Sequence, residues 1–400
     1  MRKLATYFFL LCVLGCAENK PDIKFVPLHF RGVETPAPKG SEFPYLFEKD
    51  GKLYMSWLEE REDSSFLKLA FRDGENWSEV MTAAKGTDWF VNWADFPEIH
   101  VGADGSMYMH HLEKTGNGTY AYGVEVSQKG PKEMHFTDLG QPYTDTSQTE
   151  HGFVSFFSIK EEGMAMVWLD GRKYTSGKEE MSLRSAKVDP SGNFYEETQL
   201  DGRTCDCCQT DAAATSTGAI VVYRDRSEGE IRDIYRSIYK KGAWLEPAPV
   251  ASDNWEINGC PVNGPAVAAK GNEVAVTWFT VANDTPKVKI AFSHDGGEHF
   301  DSAIRIDAGN PIGRVDIVWT NERYVYVSWM ERSDDKKAKI MMRSIYPGGP
   351  LSAPQVVGGI SGERASGFPI MINQSDKIYL AWTQDSEVPE VVLWESFQEK

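Results

Sequence analysis

Apolar and polar residues alternate along most of the chain in short runs, and many of these runs end at an aromatic residue. Segments such as EVAVTW (273–278) and YVYVSW (324–329) place an apolar side chain at every second position, which is typical of a β-strand. No long stretch has the spacing of an amphipathic helix. Strands of this kind end at anchor positions 51 to 58 residues apart: Trp57, His110, Trp168, Tyr223, Trp278, Trp329 and Trp382. The pattern therefore predicts an all-β repeat protein.

Each repeat contains further strand signals around its anchor. An apolar strand precedes the anchor strand, and a third strand, a turn and a fourth strand follow it, as in VKIAFSHDGGEHF (288–300). Four strands in a period of about 54 residues predict the four-stranded blades of a β-propeller. We expect seven blades, or six if one repeat is an embellishment. The last repeat lacks a fourth strand, and we expect the segment Asp22–Phe30 to supply it and close the ring, because closure removes sheet edges.

One short motif connects these repeats to a known family. SHDGGEHF (Ser293–Phe300) matches the Asp-box pattern S-x-D-x-G-x-x-[W/F], and residues 71–77 and 188–194 are similar to degenerate copies of it. The chain resembles the sialidase-like Asp-box (BNR repeat) propellers. The resemblance implies that the motif is a structural turn between strands three and four, on the face away from the ligand site.

The first sixteen residues have the order of an export signal. Arg2 and Lys3 precede an apolar run from position 4 to position 14, and VLGC (Val13–Cys16) resembles the bacterial lipobox. We interpret residues 1–15 as a signal peptide, Cys16 as a lipidated residue, 16–21 as a tether and 22–400 as one propeller domain. An ordinary cleaved signal peptide is the alternative. The expected protein is an exported bacterial lipoprotein, anchored on the periplasmic or the cell-surface side of a membrane.

Charge limits the range of ligands. The formal net charge of −17 and the pI near 5.0 exclude a general nucleic-acid binder, which needs a basic face. A local basic pocket is still compatible with this charge. We expect a monomer whose ligand is a glycan or a small acidic molecule.

Candidate site residues follow from the blade topology and from the family resemblance. Loops that lead into the innermost strands, and loops that join strands two and three, lie on one face of a propeller, called here the funnel face. The resemblance implies a sialidase-type glycoside hydrolase, with three arginines for a sugar carboxylate, a tyrosine activated by a glutamate, and an aspartic acid. The catalytic candidates are Asp95 as the acid and Tyr174 (or Tyr223) with Glu228 as the nucleophile pair. The ligand-binding candidates are Arg172, Arg224, Arg226, Arg314, Arg364, Asp170, Asp225 and Asp316.

Sulfur chemistry gives a second interpretation. GRTCDCCQTDAA (202–213) contains Cys205, Cys207 and Cys208, and Cys260 occupies the corresponding loop of the next repeat. With His151 and His110 these thiols suit copper or zinc, or a redox-active site. Two disulfides are the alternative in an exported protein, and free thiols are a third. Copper or zinc at this cluster is the one cofactor that the sequence suggests.

A third interpretation is a non-catalytic propeller that binds a glycan or a protein. Aromatic residues in the loops that precede the innermost strands could stack on sugar rings, or they could cover the ends of the blades: Trp89, Trp93, Phe96 and Trp255.

Overall fold

The computed structural model describes residues 25, 27–160, 162–307, 309–320, 324–334 and 336–397. Within these residues the strands form seven antiparallel sheets, and the only helical segments are three short 3-10 helices at Arg172–Ser176, Ala282–Asp284 and Arg364–Ser366. This arrangement is a seven-bladed β-propeller and confirms the predicted fold. The predicted signal peptide, lipobox and tether lie outside the described residues.

The blades follow one another along the chain. The first contains β2 (Ser41–Lys49), β3 (Lys52–Arg61), β4 (Ser64–Asp73), β5 (Asn76–Trp77) and β6 (Met81–Gly86). The second contains β7 (Ile99–Val101), β8 (Met107–Lys114), β9 (Tyr122–Lys129) and β10 (Thr137–Gly140). The third contains β11 (His151–Ile159), β12 (Gly163–Asp170), β13 (Met181–Val188) and β14 (Phe194–Thr204). The fourth contains β15 (Asp211–Thr215), β16 (Gly218–Arg224), β17 (Ile234–Lys240), β18 (Ala243–Trp244) and β19 (Ala248–Pro249).

The remaining three blades have the same strand order. The fifth contains β20 (Ala266–Lys270), β21 (Glu273–Thr280), β22 (Lys287–Ser293) and β23 (Ile304–Arg305). The sixth contains β24 (Pro311–Trp319), β25 (Val325–Arg332), β26 (Lys337–Ile345) and β27 (Gln355–Ser361). The seventh contains β28 (Ile370–Gln374), β29 (Lys377–Gln384), β30 (Glu390–Phe397) and β1 (His29–Val33).

The ring is closed by the N-terminal strand, as predicted, but at a different position. β1 pairs with β30 in register from His29 opposite Phe397 to Val33 opposite Leu393. The sequence interpretation placed this strand at Asp22–Phe30, whereas the observed strand begins after Pro27. Proline has no N–H for a ladder hydrogen bond, so pairing starts beyond it. Residues 22–24 lie outside the described residues.

The repeated tryptophans are core residues with a fixed polar partner. The side chains of Trp57, Trp168 and Trp329 are each less than 1% exposed. Their indole N–H groups donate to a carboxylate two residues later, at distances of 2.8 to 2.9 Å, in Glu59, Asp170 and Glu331 respectively. A W-x-[D/E] unit therefore satisfies the one polar atom of a buried tryptophan within its own strand.

The Asp-box sequence forms the turn that follows β22. Ser293 Oγ accepts the N–H of Gly297 at 2.9 Å and donates to Asp295 Oδ1 at 2.8 Å. Gly297 has φ of +95°, and a Cβ there would lie 2.4 Å from Cδ1 of Ile220 in the preceding blade. The motif is thus a packed turn between the third and fourth strands of its blade.

A cavity of about 470 Å³ lies along the propeller axis, lined by the innermost strands. Polar side chains on these strands join neighbouring blades. Asp211 accepts the N–H of Val267 at 2.7 Å, and Ser155 Oγ lies 2.8 Å from Thr210 Oγ1. These bonds connect equivalent positions about one repeat apart.

Candidate functional site

Four cysteines on the funnel face form two disulfides. Cys205 is bonded to Cys208, and Cys207 is bonded to Cys260. The first bond closes a short loop ahead of β15, and the second joins the loops that lead into the fourth and fifth blades. Cys205 and Cys208 are at most 1% exposed, whereas Cys260 is exposed at the surface. The structure therefore agrees with the disulfide interpretation of these residues.

The two candidate histidines lie apart from the sulfurs. Among the described residues, the one cluster with metal-ligand spacing contains Cys205, Cys207 and Cys208, with sulfurs within 4.8 Å of one another. His110 is fully buried in β8, where burial lowers its pKa to about 3. His151 Nε2 lies 3.2 Å from Asp145 Oδ2 and its ring stacks on Tyr143. A metal at the sulfurs would need reduced thiols, and copper or zinc binding there stays a prediction.

Three arginines and a tryptophan line one pocket of about 280 Å³, called here the arginine pocket. Its lining includes Trp93, Cys260, Arg314, Arg332 and Arg364. The guanidinium carbons of Arg314 and Arg364 lie 5.0 and 5.8 Å from the Trp93 ring centre. The sequence interpretation named Arg314 and Arg364, and the structure brings these two together.

Arg314 is held rigidly in the wall of the arginine pocket. It is 7% exposed, and its guanidinium donates to Ser366 Oγ and to the carbonyl oxygens of Gly367 and Glu363. Burial, together with the positive charges of Arg332 and Arg364, lowers its pKa to about 10. An anion between these guanidinium groups would offset their mutual repulsion.

The other predicted arginines do not join this pocket. Arg224 is buried and donates to the carbonyls of Asn263, Arg232 and Phe279. Arg226 pairs with Glu230 and Asp206. Arg172 makes a bidentate contact with Asp170 and lies 2.8 Å from Glu197. Their positions at blade ends suggested ligand contacts, but each guanidinium is used to join neighbouring loops and strands.

Asp95 lies in a second polar cluster, with Tyr122 and Glu150. Its Oδ1 accepts the N–H of Phe153 at 2.8 Å, and its Oδ2 is buried near Tyr122. Tyr122 donates to Glu150 Oε1 at 2.5 Å beside it. Burial raises the pKa of Asp95 well above its usual range, and it raises the pKa of Glu150 to about 7. Glu150 can therefore take up or release a proton near neutral pH.

The predicted partners of Asp95 have other hydrogen-bond partners or surroundings, and their catalytic role stays a prediction. Glu228 is exposed at a loop tip. Tyr174 is 39% exposed in a 3-10 helix, beside Asp206. Tyr223 is buried and donates to Asp201 at 2.5 Å. Tyr122 and Glu150 occupy the positions next to Asp95 instead.

The three predicted ligand carboxylates have structural partners. Asp170 accepts the indole N–H of Trp168. Asp316 lines the axial cavity and accepts the N–H of Met371 in the next blade, and burial raises its pKa to about 8. Asp225 lies beside Asp201, and its pKa is raised to about 7, first by burial and then by that negative charge.

The aromatic candidates divide between structural and surface positions. Trp89 and Trp255 are 7% and 6% exposed; Trp89 stacks on His111, and Trp255 covers Arg224. Trp93 is only partly buried and contributes to the arginine pocket. Only the tertiary contacts distinguish these roles, because each tryptophan lies in the same kind of loop, ahead of an innermost strand.

Sequence reasoning missed three residues of these clusters as site members. Arg332 could have been recognised from the sequence. It follows the anchor Trp329 at the end of a strand, as Arg61 follows the anchor Trp57 in WLEER. Glu150 directly precedes an innermost strand, which was also a signal. Tyr122 begins a third strand without any distinctive motif. Together, fold and site define a seven-bladed propeller whose funnel face combines an arginine pocket, a protonatable carboxyl cluster and two disulfides.

Comparison with solved structures agrees with the fold. A Dyadobacter fermentans protein of unknown function matches with a TM-score of 0.54 and 13% identity, over 93% of this chain and 98% of its own. The Fusarium graminearum α-L-arabinofuranosidase Arb93A matches with a TM-score of 0.51 and 12% identity, over 94% and 98%. The NanB sialidase of Streptococcus pneumoniae matches with a TM-score of 0.47 and 11% identity, over 90% and 68%, which is too distant to carry an argument.

Sequence comparison adds no family assignment. No family model matches the chain, and no curated protein is similar to it in sequence. No helix in the described ranges is long and apolar enough to cross a membrane. At these identities, the structural matches establish the propeller fold.

Proposed function

We propose that this protein is an exported, lipid-anchored propeller that binds an acidic carbohydrate in the arginine pocket. The observation that supports this proposal is the convergence of Arg314, Arg332 and Arg364 beside Trp93 in a protein of net charge −17. A planar guanidinium binds a carboxylate through paired charge-assisted hydrogen bonds. An aromatic wall suits the apolar face of a sugar.

The fold is compatible with this class of ligand. One propeller of similar structure is an arabinofuranosidase that was solved with an iminosugar inhibitor. The proposal of export and anchoring is supported by the sequence of residues 2–16. Replacing Cys16 with alanine should release the protein from membranes and prevent labelling with a radioactive fatty acid; retained labelling would contradict the anchor.

Binding is tested with pairs of sugars that differ in charge. Glucuronic acid and N-acetylneuraminic acid should bind in calorimetry, whereas glucose and N-acetylmannosamine should bind at least tenfold more weakly. The reason is that a charge-assisted hydrogen bond contributes about 1.5–3 kcal/mol, and about 1.4 kcal/mol is tenfold in affinity. Equal binding of the neutral sugars would contradict an anion site.

The matched variant is Arg364→Ala, because this arginine is exposed and its loss leaves the buried Arg314 in place. We expect its affinity for the acidic sugar to fall about tenfold or more. Arg305→Ala is the control. Arg305 lies on the outer strand β23 and pairs with Asp307, so its loss should not change binding. Equal losses in both variants would indicate a general charge effect.

Hydrolysis is a second candidate, and the cluster of Asp95, Tyr122 and Glu150 is the observation that favours it. A carboxyl group whose pKa is near 7 can act as a general acid or base at neutral pH. Tyr122 and Asp95 are 1% and 3% exposed, so the present geometry favours binding over catalysis.

The test of hydrolysis uses 4-methylumbelliferyl glucuronide and the corresponding sialoside. Turnover that is lost in Glu150→Gln and kept in the exposed Glu228→Gln would support catalysis by this cluster. Absence of turnover with both substrates would contradict the proposal that this cluster hydrolyses these sugars. The binding proposal would then be tested by calorimetry alone.

A further inference from the structure

The two disulfides of the funnel face differ in how easily a reagent can reach them. Cys260 is exposed and Cys207 is partly buried, whereas Cys205 and Cys208 are almost completely buried. Yet the two bonds are neighbours, since Cys205 Sγ lies 4.0 Å from Cys207 Sγ. An outer bond that a reductant can reach is therefore in contact with an inner bond that it cannot reach directly.

Stabilisation explains only one of these bonds. The Cys207–Cys260 bond joins residues 53 positions apart in two blades, so it restricts the unfolded chain strongly. The Cys205–Cys208 bond closes a loop with a separation of 3 residues, and such a short loop gains little from closure. Its C-x-x-C spacing is that of dithiols that exchange.

Arginine side chains lie near both disulfides. The guanidinium of the buried Arg232 donates to Cys205 Sγ at 3.4 Å, which draws electron density from that sulfur. Cys260 lines the arginine pocket, as do Arg314 and Arg364. Nearby cations favour thiolates over thiols, so a bond opened at this rim releases reactive thiolates.

We propose that these four cysteines form a thiol–disulfide exchange site, in which an external dithiol reduces the outer bond and Cys207 passes the reduction to the inner bond. A reductant thiolate attacks Cys260 Sγ, and the Cys207–Cys260 bond breaks with its electron pair on Cys207. The second thiol of the reductant then displaces Cys260 as a thiolate and leaves the reductant oxidised. The proposal does not depend on the identity of the proposed ligand.

The internal step conserves electrons. The Cys207 thiolate attacks Cys205 Sγ, a Cys205–Cys207 bond forms, and the Cys205–Cys208 bond breaks with its electron pair on Cys208, which takes a proton from water. A second dithiol reduces the new bond, so two dithiols convert both disulfides into four thiols. Opening the outer bond also removes the covalent link between the fourth blade and the Cys260 loop, which lines the arginine pocket.

Two variants isolate the role of the Cys207 sulfur. Cys260→Ser and the double variant Cys207→Ser with Cys260→Ser both lack the bond between blades, and they differ only in that sulfur. Each is treated with dithiothreitol at pH 7, quenched with iodoacetamide and mapped by mass spectrometry. Alkylation of Cys208 should be at least tenfold slower in the double variant. Equal rates, or faster reaction in the double variant, would overturn the proposal.

The unmodified protein provides a second test that does not depend on variant folding. After limited reduction, molecules with two alkylated cysteines should carry the label on Cys208 and Cys260, with Cys205 bonded to Cys207. Label on Cys207 and Cys260 throughout the time course, with the Cys205–Cys208 bond intact, would show that no transfer occurs and would overturn the proposal.

Discussion

Replacing Glu395 with glutamine tests how the propeller ring is held closed. Glu395 in β30 is 2% exposed and lies opposite Arg31 of β1 in the strand register. Its Oε1 accepts the Arg31 Nε–H at 2.9 Å, and its Oε2 accepts from Lys377 and Tyr379 at 3.1 Å each. Arg72 of the first blade lies 3.4 Å from the same carboxylate. This one side chain therefore joins the closing strand, the last blade and the first blade.

The size of the effect follows from the pKa of Glu395. Burial acts to raise this pKa, but the hydrogen bonds from Arg31 and Lys377 outweigh burial and lower it from 4.5 to about 2. At about 1.4 kcal/mol per pKa unit this corresponds to about 3 kcal/mol at neutral pH. The Arg31 side chain is 62% exposed, and water screens its share. We expect Glu395→Gln to lower the free energy of unfolding by about 2 kcal/mol at pH 7.

The pH dependence gives a sharper test than the size alone. A carboxyl group with a lowered folded pKa stabilises the protein above its unfolded pKa, and this stability is lost as the pH falls through the folded pKa. The difference between wild type and Glu395→Gln should be complete at pH 7, decline below about 4.5 and be about half or less at pH 3. Urea unfolding followed by tryptophan fluorescence at both pH values measures it.

The control is Glu390→Gln, since Glu390 is exposed on the same strand. Its unfolding free energy should stay within about 0.5 kcal/mol of wild type. A wild-type stability for Glu395→Gln, or a loss that is the same at pH 7 and pH 3, would refute the claim that this carboxylate closes the ring electrostatically.

Two further substitutions test other structural assignments. Asp316→Asn should destabilise the protein at pH 5, because it disturbs acceptance of the Met371 N–H, and this penalty should shrink by pH 9. Burial raises the pKa of Asp316 to about 8, so the wild-type protein loses stability as the pH rises from 3.8 to 8 and this carboxyl group must ionise. Equal penalties in urea unfolding at both pH values would contradict this reasoning. Ser293→Ala should lower stability by about 1 kcal/mol, because the turn loses the acceptor for the Gly297 N–H; an unchanged Tm would show that this bond is dispensable.

Much of the fold could be predicted from the sequence, because its signals are local and repeated. Alternation within strands, the tryptophan anchors and the 51–58 residue spacing all derive from side chains that must be buried in the same way in each blade. The missing fourth strand of the last repeat predicted closure by the N-terminal strand. The error in its bounds arose because Pro27 interrupts an apolar run that otherwise continues across it.

The candidate site was predicted only in part. Topology suggested that Arg314, Arg364 and Cys260 lie close together, and the three line one pocket; the role of Asp95 stays a prediction. Arg224 looked equivalent to them, but it is buried among carbonyl oxygens of neighbouring loops. Nothing in the sequence near Arg224 distinguishes it, because its partners are backbone carbonyls, two of them 39 and 55 residues away.

The sequence by itself indicated the repeat, a ring of seven or six blades and its closure by an N-terminal strand, because burial and strand period are read over short distances along the chain. Tertiary structure decided the number of blades and which of the loop residues meet. In the folded protein Cys207 is bonded to Cys260, and three arginines line one pocket: Arg314, Arg332 and Arg364. Asp170 and Asp316 accept hydrogen bonds within the fold. The physical reason is that the ring brings together loops from blades distant in sequence, and a side chain's charge and hydrogen bonds depend on those neighbours.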